Sequence, residues 1–232
     1  MTVKEQFLTN QQRYQPLILP QRFSDEEMVR DWTLNRRDCQ MVNKYRKLYR
    51  LGVAIQLCAM RLYGRFLNQL SDLSPRVVSY LSSQLDLPPA LTVEVPEREA
   101  TLLEHRNNIL KYLGFRRFDD KVEADLDSWV EAQARQGLLP DELFHRAERY
   151  LLLNRIVLPG PTTIERQIVR ICNQVHAQLF EQVFEQMSPE LRRAIDDLLQ
   201  TSGGNQRTYF NQLKEYPPAA KISSLKRYLE RY

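Results

Sequence analysis

The sequence predicts an all-α protein of two small helical domains with helix-turn-helix-like arrangements. Apolar residues recur every three or four positions along nearly the whole chain, and Ser, Asn, Pro and Gly stand where helices should start or stop. Alternation of apolar and polar residues over a strand's length is lacking, and Leu91 to Val95 is the one strand candidate.

Ser24, three residues before Glu27, has the spacing of a capping box, so a short helix should run from about Asp25 to about Trp32. Asn35 can cap the next helix. From Met41 onward Tyr45, Leu48, Leu51, Ile55, Cys58, Ala59 and Leu62 mark one buried stripe, with Lys44, Lys47 and Arg50 set off it. Gly64 should end that helix. Ser74-Pro75 places proline at the favoured first helical position; Val77, Val78, Leu81 and Leu85 follow until Leu87-Pro88-Pro89 stops the run. Glu97 to Leu113 carries another apolar series, closed by Gly114, which takes a left-handed conformation at little cost.

Beyond Phe118 the composition turns acidic, which sets the expected domain boundary: residues 1–118 form one helical domain, residues 119–200 a second, and residues 201–232 a linker and the start of a following region. Helices near 120–136 and 141–154 lead to Pro159-Gly160-Pro161, where two prolines and a glycine forbid helical continuation. Thr162 and Glu165 have capping-box spacing. Ile164, Ile168, Ile171, Val175, Leu179 and Val183 give the next helix its apolar face, with Arg166, Arg170 and Asn173 on a different stripe. Counted to Met187, that helix is about 36 Å long, more than a DNA groove needs. Ser188-Pro189 starts one more helix, to Leu199; Thr201 to Asn205 is the clearest linker, and Gln206 to Tyr232 reads as helical pieces broken by Pro217-Pro218.

Composition narrows the function classes. The chain has 232 residues, 43% hydrophobic and 27% charged, with only seven glycines, so it can bury real cores without staples. An apolar run long enough to cross a bilayer is lacking, as is the apolar core of a signal peptide, so a cytoplasmic, nucleoid-associated location is expected. Cys39, Cys58 and Cys172 are far apart and read as reduced, mostly buried thiols. Phosphate loops, dinucleotide fingerprints and the zinc-protease or serine-hydrolase motifs are missing. His176, four residues after Cys172, has the spacing of half a metal site; with no second ligand pair, ordinary packing is the better reading, and neither metal nor cofactor is expected. The acidic pairs Asp119-Asp120 and Asp196-Asp197 read as helix starts and surface charge.

Net charge is +4, but its distribution is uneven. Residues 30–65 hold nine Lys or Arg against two acids, a local +7. That excess suits a polyanion, although a solvated helix face has the same composition. Arg155 to Arg166 is a tight apolar turn before a helix opened by hydroxyl and basic side chains, the way a DNA-reading helix is usually presented. On this reading Arg36, Arg37, Lys44, Arg46, Lys47 and Arg50 face phosphates; Thr162 and Thr163 also contact phosphate, Arg166 and Gln167 meet base edges, and Arg170 lies near base or backbone. Many helical hairpins share the same signs.

Three blocks then carry a resemblance. Tyr49 to Phe66 (YRLGVAIQLCAMRLYGRF), Ile109 to Phe118 (ILKYLGFRRF) and Arg155 to Arg166 (RIVLPGPTTIER) resemble, in order, the N-terminal region of the Tn-three-type (class II, replicative) bacterial transposases. The segment Val42 to Leu48 departs from that pattern by being more basic. The resemblance implies sequence-specific binding of double-stranded DNA at transposon terminal inverted repeats, as the end-recognition part of a transposase. It also implies that catalysis belongs to an RNase H-like domain with an Asp-Asp-Glu triad farther along such chains, so that this portion is not itself an enzyme. A homodimer is one state open to the full-length protein. The alternative is a helical protein-interaction module without DNA binding.

Overall fold

The structure, a computed structural model, describes residues 6–14, 22–70, 73–88, 93–201 and 208–213. Among them lie eleven helices and no strand, only two isolated bridges, so the all-α expectation holds. They are α1 (Asn10–Tyr14), α2 (Asp25–Trp32), α3 (Arg36–Val42), α4 (Lys47–Tyr63), α5 (Pro75–Gln84), α6 (Glu99–Leu113), α7 (Asp120–Ala134), α8 (Pro140–Leu153), α9 (Pro161–Gln186), α10 (Pro189–Leu199) and α11 (Tyr209–Leu213). Of the strand candidate, Leu91 lies outside the described residues and Val93 to Val95 form no element.

Local chemistry sets these boundaries. Ser24 caps α2 in a full capping box with Glu27, and Asn35 caps α3 in another with Asp38. Asp119 accepts from the Val122 amide at 2.9 Å to start α7. Gly64 ends α4 with φ 62° and Gly114 ends α6 with φ 72°, both left-handed.

The single stripe expected from Met41 to Leu62 is instead broken by a turn at residues 43–46. Arg50 explains the break: its Nε donates to the Tyr45 carbonyl at 3.1 Å and its Nη2 to the Asn43 carbonyl at 3.0 Å, satisfying acceptors that a continuous helix would have used. Leu48, expected inside, is 60% exposed in the first turn of α4. Downstream, every residue from Leu51 to Met60 is buried, because α4 is wrapped by α2, α3, α5 and α6. Gly52 fits this crowding, since a Cβ there would lie 2.9 Å from the Glu94 carbonyl oxygen.

The chain divides into two compact units, residues 1–175 and 176–232, so the expected boundary at 118/119 falls inside the first. Backbone ties cross that point. Arg116 and Ile156 form a parallel bridge, in which the Arg116 amide donates to the Arg155 carbonyl at 2.8 Å and the Val157 amide to the Arg116 carbonyl at 2.9 Å. The Leu158 amide donates to the Gly64 carbonyl at 2.9 Å, and Arg65, 5% exposed, pairs with Glu148 at 2.9 Å. Burial opposes charge on both partners of this pair, lowering the Arg65 pKa and raising that of Glu148, with their mutual attraction as the smaller opposing effect.

In the second unit Ser188 caps α10, which packs on α11, and the Arg192 guanidinium lies 4.2 Å above the Phe184 ring. No α10 residue is buried. Thr201 bridges to Thr208; the rest of the expected linker and the Pro217-Pro218 break lie outside the described residues.

Candidate nucleic-acid interface

The α3–turn–α4 unit carries the charge excess. Arg36 and Arg37 open α3, Lys44 and Arg46 occupy the turn, and Lys47 begins α4; all five side chains are exposed. Among the described residues, none of the five is engaged in an ion pair. Arg50 is half-buried, and its two hydrogen bonds to the turn make it the brace of this unit.

Behind the charges sits Asp38, fully buried at the end of α3's first turn. It accepts from the Asn35 amide at 2.9 Å, from Arg61 Nη2 at 2.7 Å and from the Tyr112 hydroxyl at 2.8 Å, so one carboxylate ties α3 to α4 and α6. These donors satisfy it and fix the pitch at which α3 presents its arginines. Burial, followed by the bond to Asp38 and its charge, raises the Tyr112 pKa, while Arg61 and Arg37 act against the rise.

Between the α3–α4 turn and α6 runs an open groove of about 940 Å³. Lys44 and Arg46 line it from the turn, Arg98 and Lys111 from the ends of α6. Tyr45 and Tyr49 meet His105 edge-on, with ring centroids 4.6 Å and 5.8 Å apart, and burial lowers the His105 pKa. Sequence reasoning missed Arg98 and Lys111, since they belong to a helix that only tertiary packing brings beside the basic segment.

The α8–turn–α9 unit is built differently. Arg155 adopts φ 52°, a left-handed value uncommon outside glycine, and its Nη1 donates to the Leu113 carbonyl at 2.7 Å. With the Arg116 and Gly64 ties, this turn is fastened along its length to the first set of helices.

At the start of α9, Thr162 and Arg166 are exposed and Thr163 is half-exposed. Arg166 Nε donates to its own Thr162 carbonyl at 3.1 Å. The expected Thr162–Glu165 capping box is not formed, because Glu165 points inward and is 2% exposed. It accepts from the Phe7 and Leu8 amides, each at 2.8 Å, and from Arg13 Nε at 3.2 Å and Nη2 at 2.9 Å, docking the N-terminal segment onto α9. Burial opposes its charge, but these bonds and the Arg13 charge outweigh that and hold the carboxyl below its ordinary 4.5.

Gln167, expected at a base edge, is 5% exposed and donates through Nε2 to the Glu123 carbonyl at 3.1 Å and to Asp127 Oδ1. It lies on the apolar side of α9, three residues after Ile164, so its amide serves the α7–α9 contact. Arg170 is 47% exposed at its side chain, and its charge is met by Asp127 at 2.5 Å.

Among the described residues, no group of three or more His, Cys, Asp or Glu could hold a metal ion, and no helix is long and apolar enough to cross a membrane.

Residues 7–171 match the family described as Domain of unknown function (DUF4158). The chain is 29% identical over 235 residues to the transposase for transposon gamma-delta of Escherichia coli (strain K12), covering 97% of this chain and 23% of that protein. Against the transposase for transposon Tn1546 of Enterococcus faecium it is 26% identical over 230 residues, with the same two coverages of 97% and 23%. The transposase for transposon Tn501 of Pseudomonas aeruginosa is 26% identical over 219 residues, covering 93% of this chain and 22% of the relative. The chain therefore spans about a quarter of the length of the curated relatives it matches. These similarities run through all three sequence blocks that suggested a transposase.

Proposed function

The chain belongs to the DUF4158 family, and on that premise we propose that its first unit binds double-stranded DNA at transposon ends, as the end-recognition part of a transposase. The observation that carries this reading is the set of five exposed cations on one helix-turn-helix, without an ion pair among the described residues: Arg36, Arg37, Lys44, Arg46 and Lys47. Lys and Arg that neutralise phosphates release condensed counterions, which supplies affinity without sequence preference. Sequence preference comes from the start of α9, where Arg166 reaches a base edge and Thr162 and Thr163 contact phosphate. Arg170 adds less, since Asp127 already meets its charge. Strand cutting belongs to the parts of the relatives that this chain does not match, and the protein works at the nucleoid.

Titration of a fluorescent duplex bearing the element's terminal repeat tests the reading. Five neutralised phosphates give log K against log salt a slope of about −4 to −5. A scrambled duplex of equal length should bind at least about tenfold more weakly. Absence of binding to both duplexes at low salt would sink the proposal.

A protein contact is the second reading, for residues 176–232 alone. Phe180, Val183 and Phe184 of α9 and Leu191, Ile195 and Leu198 of α10 are exposed, and apolar rows of that kind suit a polypeptide surface better than a phosphate backbone.

A further inference from the structure

We propose that the groove between the α3–α4 turn and α6 holds one sugar–phosphate strand of the bound duplex, which makes Arg98 and Lys111 DNA contacts. The inference rests on the DNA-binding reading above and extends it to a helix that the basic sequence segment does not include.

Continuity comes first. The groove shares Lys44 and Arg46 with the helix-turn-helix and carries Lys111 on its far side, next to Tyr112. The Tyr112 hydroxyl donates to Asp38 of α3 at 2.8 Å, so α6 is tied to the helix that carries Arg36 and Arg37. Length comes next. From Arg98, the N-cap of α6, to Lys111 in its last turn is thirteen helical steps, about 20 Å at 1.5 Å each. One strand of B-DNA advances about 3.4 Å per phosphate along the duplex axis and farther along its own winding path, so at most about six phosphates span that distance.

Carboxylates set the strength of the site. Glu94, Glu97 and Glu104 line the same groove, leaving the four cations an excess of one. The groove therefore attracts a strand only when the neighbouring cations of α3 and α4 have already docked the duplex. Glu104 works against the phosphates and limits affinity for DNA in general.

The test compares the full chain with R98A, K111A, the double variant and E104Q by fluorescence anisotropy on repeat-bearing and scrambled duplexes across a salt series. Far-UV circular dichroism and thermal melting establish that each variant is folded. Each cation lost should reduce the magnitude of the salt slope by about one, the double variant by about two, on both duplexes alike. E104Q should bind severalfold more tightly at fixed salt. A double variant with unchanged slope, beside a Lys47→Ala control whose slope drops, would overturn the groove while leaving the DNA-binding reading standing. Failure of the unaltered chain to bind either duplex would overturn both.

Discussion

The guanidinium of Arg13 clasps the carboxylate of Glu165, 152 positions away, through Nε at 3.2 Å and Nη2 at 2.9 Å. Both side chains are largely shielded, at 13% and 3% exposure. The first turn of α9, the element proposed to meet base edges, is thus held on its inner side by the N-terminal segment. Phe7 adds an edge-on contact to Phe144 of α8 at 6.4 Å.

This clasp should titrate. Glu165 has a folded pKa below its ordinary 4.5, so its contribution is fully present above that value and is lost as pH falls through the lower folded value. Amide hydrogen exchange at Phe7 and Leu8, corrected for intrinsic rates, should accelerate under acid. Glu165→Ala should exchange rapidly at every pH and cost about 3 kcal/mol, because it removes the acceptor of both amides and leaves Arg13 shielded without its counter-charge. Slow exchange at those amides in the variant would refute the clasp.

Arg166 and Gln167 are adjacent yet should behave oppositely. Arg166→Ala, at an exposed site, should leave the melting temperature nearly unchanged, cost about 1 to 3 kcal/mol in binding the terminal repeat, and relax sequence preference. Gln167→Ala should cost about 1 to 2 kcal/mol of folding stability, since the Glu123 carbonyl and Asp127 lose a shielded donor, and should leave the ratio of specific to scrambled binding unaltered. Gel shifts on the two duplexes at fixed salt, beside urea melts, separate the two behaviours.

Lys47→Ala should weaken all duplexes to a similar degree. One fewer counterion is released, so the salt slope should shrink by about one unit with no change in preference between sequences. A selective loss on the repeat alone would move Lys47 from phosphate to base contact.

Gly64→Ala should destabilise the first unit by about 1 to 3 kcal/mol in urea unfolding. A side chain pays a steric penalty at φ 62°, and its Cβ would lie 2.3 Å from Leu152 Cδ2 and 3.2 Å from Leu158 Cγ. The Leu158 amide bonded to the Gly64 carbonyl limits how far the turn can retreat.

The helices were legible where local chemistry decides them. Capping spacing at Ser24, proline at position 75 and glycine at 64 and 114 act within a turn or two of chain, and the observed boundaries follow. Side-chain fate was less legible wherever a distant partner decides it. Glu165 has the spacing of a cap, but the amides of Phe7 and Leu8 outcompete the local amide; Gln167 looks like a reader until α7 supplies its acceptors. Arg50 sits within a basic run, yet its nearest acceptors are the turn carbonyls it faces. Arg98 and Lys111 carried no local sign at all. They join the basic surface only because α6 packs along α4.

The rivets at Gly64, Arg116 and Ile156 leave the α8–α9 turn no slack relative to α4. If both probes engage one duplex, they act as a ruler of set length and phase. Each base pair inserted between their footprints would slide the second footprint by about 3.4 Å and swing it by roughly 35° around the axis, out of register with a frame that cannot follow.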